Sequence, residues 1–198
     1  MAARSLNGVL KEARACTVCA EHLPLGPRPI VRAHKESRVL IVGQAPGTRV
    51  HETGIPWNDP SGKRLREWLN VDRELFYNES VFAIVPMGFC YPGRMPNGGG
   101  DAPPRPECAP LYHERLRKYM PRIELTLLIG KYAQDHYLDG QVKKTLGATV
   151  QAYREYGDGV FPLPHPSPRN TLWLKKNAWF DAEIVPELRK RVGRLLQR

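Results

Sequence analysis

Four cysteines and three short stretches carry the residues able to do chemistry. Cys16 and Cys19 form CTVC near the N-terminus, while Cys90 and Cys108 bracket a Gly/Pro-rich stretch. A CxxC pair turns two thiolates toward one metal, and two distant cysteines can complete a tetrahedron. Spacing leaves zinc, an iron–sulfur cluster and four unrelated thiols all open. The second stretch is GQAPG (Gly43, Gln44, Ala45, Pro46, Gly47). A glycine-flanked turn of this kind brings backbone amides close to a ligand, which suits a phosphate or a planar base. It runs on through GIPWND, which sets the aromatic Trp57 close to the acid Asp59. An aromatic face stacks on an extruded base, and a carboxylate orients water or stabilises a cationic sugar. A structural turn, a core aromatic and a helix cap are the ordinary alternatives. The third stretch is HPSPRN, where two prolines stiffen a loop carrying His165, Ser167, Arg169 and Asn170. A fixed imidazole can hydrogen-bond the negative charge that develops on a leaving group. A proline-shaped turn with an incidental histidine is the competing account.

The elements that must position these residues alternate. RVLIVG (Arg38 to Gly43), VFAIVPM (Val81 to Met87) and ELTLLIG (Glu124 to Gly130) are near-continuous apolar runs, the pattern of strands buried on both faces. GVFPLP supplies a shorter fourth strand leading into HPSPRN. Ser61 to Val71 reads as a helix opening on a Ser cap, with Leu65, Trp68 and Leu69 on one face. Glu107 to Met120, KYAQDHYL and the segment from Ala178 onward also read as helices, the last amphipathic. This order predicts a three-layer α/β sandwich, a central four-stranded parallel sheet flanked by helices. Residues 1–198 then form one domain, with the CxxC arm and the C-terminal helix included. Ligands in such sheets lie beyond the carboxyl ends of the strands. GQAPG, GFCYPG and HPSPRN all meet that description. The stretch Gly93 to Glu107 reads as a tethered loop, because cysteines flank it, or otherwise as a linker.

Composition narrows the partners. Lys and Arg number 30 against 20 Asp and Glu, a formal charge of +10, which points to a polyanion such as nucleic acid. With 41% hydrophobic and 25% charged residues, the chain is neither disordered nor fibrous in type. No apolar run approaches the roughly 20 residues of a membrane span, and the N-terminus lacks a signal-peptide core. The expectation is an intracellular, cytoplasmic and nucleoid-associated monomer, a compartment in which paired disulfides are disfavoured.

Taken in order, CxxC, GQAPG, GIPWNDPSG, a cysteine pair around a Pro-rich loop and HPSPRN resemble the uracil-DNA glycosylase superfamily. The likeness is strongest to its family-four members, which carry a [4Fe–4S] cluster, and it runs from Cys16 to Asn170. The resemblance implies hydrolysis of the N-glycosidic bond of a flipped deoxyuridine in DNA, leaving an abasic site in base-excision repair. It implies Cys16, Cys19, Cys90 and Cys108 as ligands of a [4Fe–4S] cluster that pins DNA-facing loops, ahead of zinc. Gly43 to Gly47 corresponds to the water-activating motif and Trp57 to the base-stacking aromatic. His165 corresponds to the histidine facing the base carbonyl, and Ser167 to a phosphate contact. Leu172, Trp173 or Leu174 falls where the family probes the minor groove with a wedge.

Two positions depart from the family pattern. Gln44 stands where those enzymes place an acid, so Asp59 is the expected replacement, ahead of His51 and Glu52. Pro86 stands where they place a uracil-reading asparagine, which leaves backbone amides or Asn58 to read the base. These departures allow two alternatives, a glycosylase shifted toward hypoxanthine or xanthine and a lesion-binding protein weakened in hydrolysis. An enzyme of nucleotide or sugar metabolism fits the Gly turn but leaves the charge and the cysteines unexplained.

Overall fold

The structure, a computed structural model, describes residues 4–96 and 98–197. Four strands, β1 (Val39–Val42), β2 (Phe82–Ile84), β3 (Leu125–Ile129) and β4 (Val160–Leu163), form one all-parallel sheet in the order β2-β1-β3-β4. Each lies within a run read as a strand from its continuous apolar sequence, and burial on both faces explains that continuity. Successive side chains alternate between two cores. On one face Leu40, Val42 and Leu128 pack under α1 (Leu6–Arg14), α5 (Glu114–Lys118) and α6 (Lys131–Tyr137). On the other, Val39, Ile41 and Leu127 pack under α3 (Pro60–Leu69) and α9 (Val185–Leu196). The result is the expected three-layer α/β sandwich. Pro162 is tolerated inside β4 because that strand is an edge of the sheet. The opposite edge, β2, is covered by an antiparallel bridge between Arg32 and Ile84.

Four more short α-helices are present among the described residues: α2 (Thr48–Thr53), α4 (Arg73–Phe76), α7 (Leu146–Gln151) and α8 (Thr171–Lys176). One expected cap is corrected. Helix α3 opens on Asp59, not Ser61: the Asp59 Oδ1 accepts from the Gly62 N–H at 2.7 Å and Pro60 follows as the first helical residue. Asp before Pro suits that position because the carboxylate satisfies an orphan amide and proline needs none. The Gly93 to Glu107 stretch is shaped, not a linker. The Ala102 N–H donates to the Gly93 carbonyl at 2.8 Å, and the Met95 N–H to that of Gly100 at 2.9 Å, so the chain doubles back as a hairpin.

Candidate active site

Beyond the carboxyl ends of the strands lies a cavity of about 350 Å³. It gathers Gly43, Gln44, Ala45, Pro46 and Gly47 after β1, then Trp57 and Asp59 before α3, then His165, Ser167, Arg169 and Asn170 after β4. All of these were singled out in the sequence. Asn58 does not line the cavity; its Oδ1 accepts from the Arg73 guanidinium at 3.1 Å. His51 and Glu52 stand on α2, also outside the lining. The GFCYPG loop contributes through its flanks, with Pro86 before it and Arg94, Gly99, Gly100 and Asp101 on the hairpin after it.

Trp57 is held by its backbone. Its φ of 56° lies in the left-handed region, where a bulky residue costs about 1–3 kcal/mol, a strain that clusters at functional sites. The turn's carbonyl approaches Gly62 so closely that no larger residue fits there, and Arg66 donates to the same carbonyl at 3.3 Å. The indole then lies against Gly43, where a Cβ would stand 2.8 Å from its Cζ2. It also meets the His165 ring, with centroids 5.7 Å apart and planes at 32°. The conformation thus lays a flat aromatic surface along the cavity wall.

The His165 loop is clamped from both ends. The Asn170 side-chain amide donates to the His165 carbonyl at 2.7 Å, and Arg64 on α3 donates to the Ser167 carbonyl at 2.9 Å. The Ser167 N–H donates to His165 Nδ1 at 3.2 Å. A backbone N–H can only donate, so the neutral ring must carry its proton on Nε2. Burial pulls the His165 pKa below its ordinary value, with the Asp59 charge opposing, so the ring is a neutral Nε2–H donor at pH 7. Asn170 therefore positions the histidine. Arg64 shares that role; it escaped the sequence reading because a basic residue on an exposed helix face carries no spacing signal.

Gln44 and Pro86 are both occupied. The Gln44 Nε2 donates to the Ala102 carbonyl at 2.9 Å, bracing the hairpin. Pro86 has no N–H to offer, and its carbonyl accepts from His113 Nε2 at 3.0 Å, on the side away from the cavity.

The four cysteines also converge. Cys16, Cys19, Cys90 and Cys108 line one small apolar cavity of about 10 Å³ with Phe89 and Arg105, and none is in a disulfide. Burial raises the Cys90 thiol to about 11 and the Cys108 thiol to about 12, so a bare thiolate is disfavoured there. An all-thiol donor set of this kind fits a soft metal centre, iron–sulfur or zinc. Among the described residues no three His, Cys, Asp or Glu side chains are grouped to hold a single metal ion.

The family model for the uracil DNA glycosylase superfamily matches residues 31–189, most of the chain. The chain belongs to this superfamily. The match takes in the Gly turn, Trp57, Asp59, the hairpin and the His165 loop, and so covers every residue lining the cavity except Ile30. Helix α8 follows directly on that loop in this uracil DNA glycosylase superfamily member. Trp173 and Leu174 are partly buried against the core, whereas Leu172 is 73% exposed with Lys175 and Lys176 on its face at helical spacing. Of the three wedge candidates only Leu172 is free to project. Among the described residues, no helix is long and apolar enough to cross a membrane.

Proposed function

We propose that this chain is a monofunctional DNA glycosylase that hydrolyses the N-glycosidic bond of a flipped-out uracil or related deaminated base, leaving an abasic site for base-excision repair. The observation that carries the reading is the meeting of the Trp57 indole, the Nε2–H tautomer of His165 and Asp59 in one cavity. Its volume lies within the roughly 300–1,000 Å³ usual for small-ligand sites. Basic side chains of Arg169, Lys175 and Lys176 neutralise phosphates, and Leu172 fills the vacated stack. The extruded base lies on Trp57. As the C1′–N bond lengthens, His165 Nε2–H donates to the oxygen gathering negative charge on the base. The Asp59 carboxylate, fixed by its cap bond, faces the positive charge of the sugar. Pro86 cannot read the base, so discrimination falls to backbone groups of the Gly turn.

Cys16, Cys19, Cys90 and Cys108 would hold a [4Fe–4S] cluster, zinc being the alternative. When bound, that group supplies a covalent tie between the N-terminal segment and both ends of the hairpin.

Oligonucleotides carrying uracil, hypoxanthine, xanthine or a thymine mismatch, followed by alkali, test the activity. Abasic sites are expected from uracil. Asp59→Asn should slow their formation by about a hundredfold while lesion binding persists. Lesion binding by the wild type without alkali-labile sites would favour a binding protein instead. Iron at several atoms per chain, with absorbance near roughly 400 nm, is expected from anaerobic preparations; stoichiometric zinc alone would overturn the cluster.

A further inference from the structure

The cavity holds a second carboxylate that the motifs did not single out. Asp101 sits on the hairpin and lines the cavity with Arg94 and Gly100. Its Oδ2 lies over the Gly turn, 3.2 Å from where a Cβ on Gly47 would stand. Three contacts set it there. The Asp101 backbone bridges to Arg94 across the hairpin. The next residue, Ala102, has its carbonyl gripped by the Gln44 amide at 2.9 Å. The Arg169 guanidinium fills the space beside Gly100 that any side chain there would need. The hairpin is thus fastened to the Gly turn on one side and to the His165 loop on the other.

The two carboxylates differ in freedom. Asp59 spends Oδ1 on the amide of Gly62. Among the described residues, no hydrogen bond or ion pair engages the Asp101 carboxylate. We propose that Asp101 is the general base of the pocket, taking a proton from the attacking water, and that Gln44 is its positioning residue. This rests on the glycosylase reading above. In the step, the water oxygen bonds to C1′ as one of its protons passes to the Asp101 carboxylate. The C1′–N bond breaks and its electron pair leaves with the base, whose charge His165 Nε2–H stabilises. Solvent later protonates the base and accepts the proton from Asp101. Asp59 keeps its charge throughout.

The electrostatics agree. Partial desolvation lifts the Asp101 carboxyl above the ordinary carboxylate value, Arg94 and Arg169 pull it back, and Asp59 adds to the rise. A base with a raised pKa is only partly ionised in mild acid. Release should therefore climb with pH through a limb displaced upward from that of an ordinary aspartate.

The test compares wild type, Asp101→Asn, Gln44→Ala and the double variant in single-turnover base release across a pH series. Asp101→Asn should lose about a hundredfold and lose the acid limb. Gln44→Ala should slow the wild type but add nothing in the Asp101→Asn background, because its effect passes through Asp101. Asp101→Asn within about threefold of wild type, with the limb intact, would overturn the assignment. Binding to duplexes bearing a cationic pyrrolidine or a neutral tetrahydrofuran in place of the sugar separates the two carboxylates. The cation preference belongs to Asp59: its survival in Asp101→Asn, with base release lost, places Asp101 on the water, whereas its loss in Asp101→Asn would make Asp101 a second sugar-facing charge and overturn the assignment. A wild type that releases no base from any duplex fails the glycosylase reading and the assignment with it, whereas an active wild type matched by Asp101→Asn fails the assignment alone.

Discussion

His165 and His113 have the same tautomer and opposite employment. His113 lies in the core, stacked on Phe89 at 5.9 Å and 11°. Its Nε2 faces the Pro86 carbonyl at 3.0 Å, which can only accept, so Nε2 carries the proton; Nδ1 must then accept from the Tyr137 hydroxyl at 2.9 Å. His165 likewise carries its proton on Nε2, because Ser167 N–H occupies Nδ1. Burial depresses both pKa values. The difference is what the Nε2–H meets: a protein carbonyl in one case, the cavity in the other. A donor already satisfied holds structure together, and one held toward open space is available to a substrate. Pro86 sits on the cavity wall and Phe89 on the cysteine cavity, so His113 braces the segment between the two sites.

The sharpest separation is expected from His165→Ala. Removing one preorganised donor to a developing anion costs roughly 10²–10³ in rate. Base release should fall by that factor in a single-turnover assay, with lesion binding retained and little change in unfolding midpoint. His113→Ala should do the reverse, losing stability first. Equal loss of chemistry in both variants, at unchanged stability, would erase the distinction.

A smaller effect concerns acid. The His113 pKa falls from an ordinary 6.5 to about 4, chiefly through burial, with His136 and Arg117 adding to the fall and the Pro86 carbonyl opposing it. A histidine depressed in the folded state binds its proton more readily when unfolded. Its stabilising contribution is complete above about pH 6.5 and drains away as pH falls toward 4, by about 3 kcal/mol in all. Urea unfolding at pH 7, 5 and 4 should show that slope, and His113→Gln should be weaker at pH 7 yet flatter toward acid. An unchanged slope would mean that His113 is not the group titrating.

The same pair explains what the sequence could and could not disclose. His165 was legible because two prolines and an asparagine around it form a motif, and the match to residues 31–189 bears out the superfamily that this motif suggested. His113 was not, since nothing in ECAPLYHERL distinguishes a core histidine from a surface one before Tyr137 and Pro86 are brought to it from other elements. The strands were legible because burial on both faces leaves an uninterrupted apolar run. Helices α2, α4 and α7, of 6, 4 and 6 residues, are too short to display a helical period. Asp101 was hidden for a third reason: it sits in a stretch of Gly, Ala and Pro with no motif, and only the doubling back of the hairpin delivers it to the Gly turn.

The smallest effect should come from Tyr137→Phe, which keeps the ring and deletes one donor. His113 would retain its bond to Pro86 but leave Nδ1 buried and unpartnered, at a cost of about 1–3 kcal/mol. The ring contacts of Tyr137 with His113 and His136 survive, which favours the low end. A bare Nδ1 is also easier to leave neutral than to protonate in a core, so the acid slope assigned to His113 should persist in Tyr137→Phe. Chemical denaturation should therefore give a uniform downward offset of the stability curve at every pH. An offset that shrinks toward acid would show instead that the Tyr137 hydroxyl, by donating to the neutral Nδ1, helps to hold the His113 pKa down.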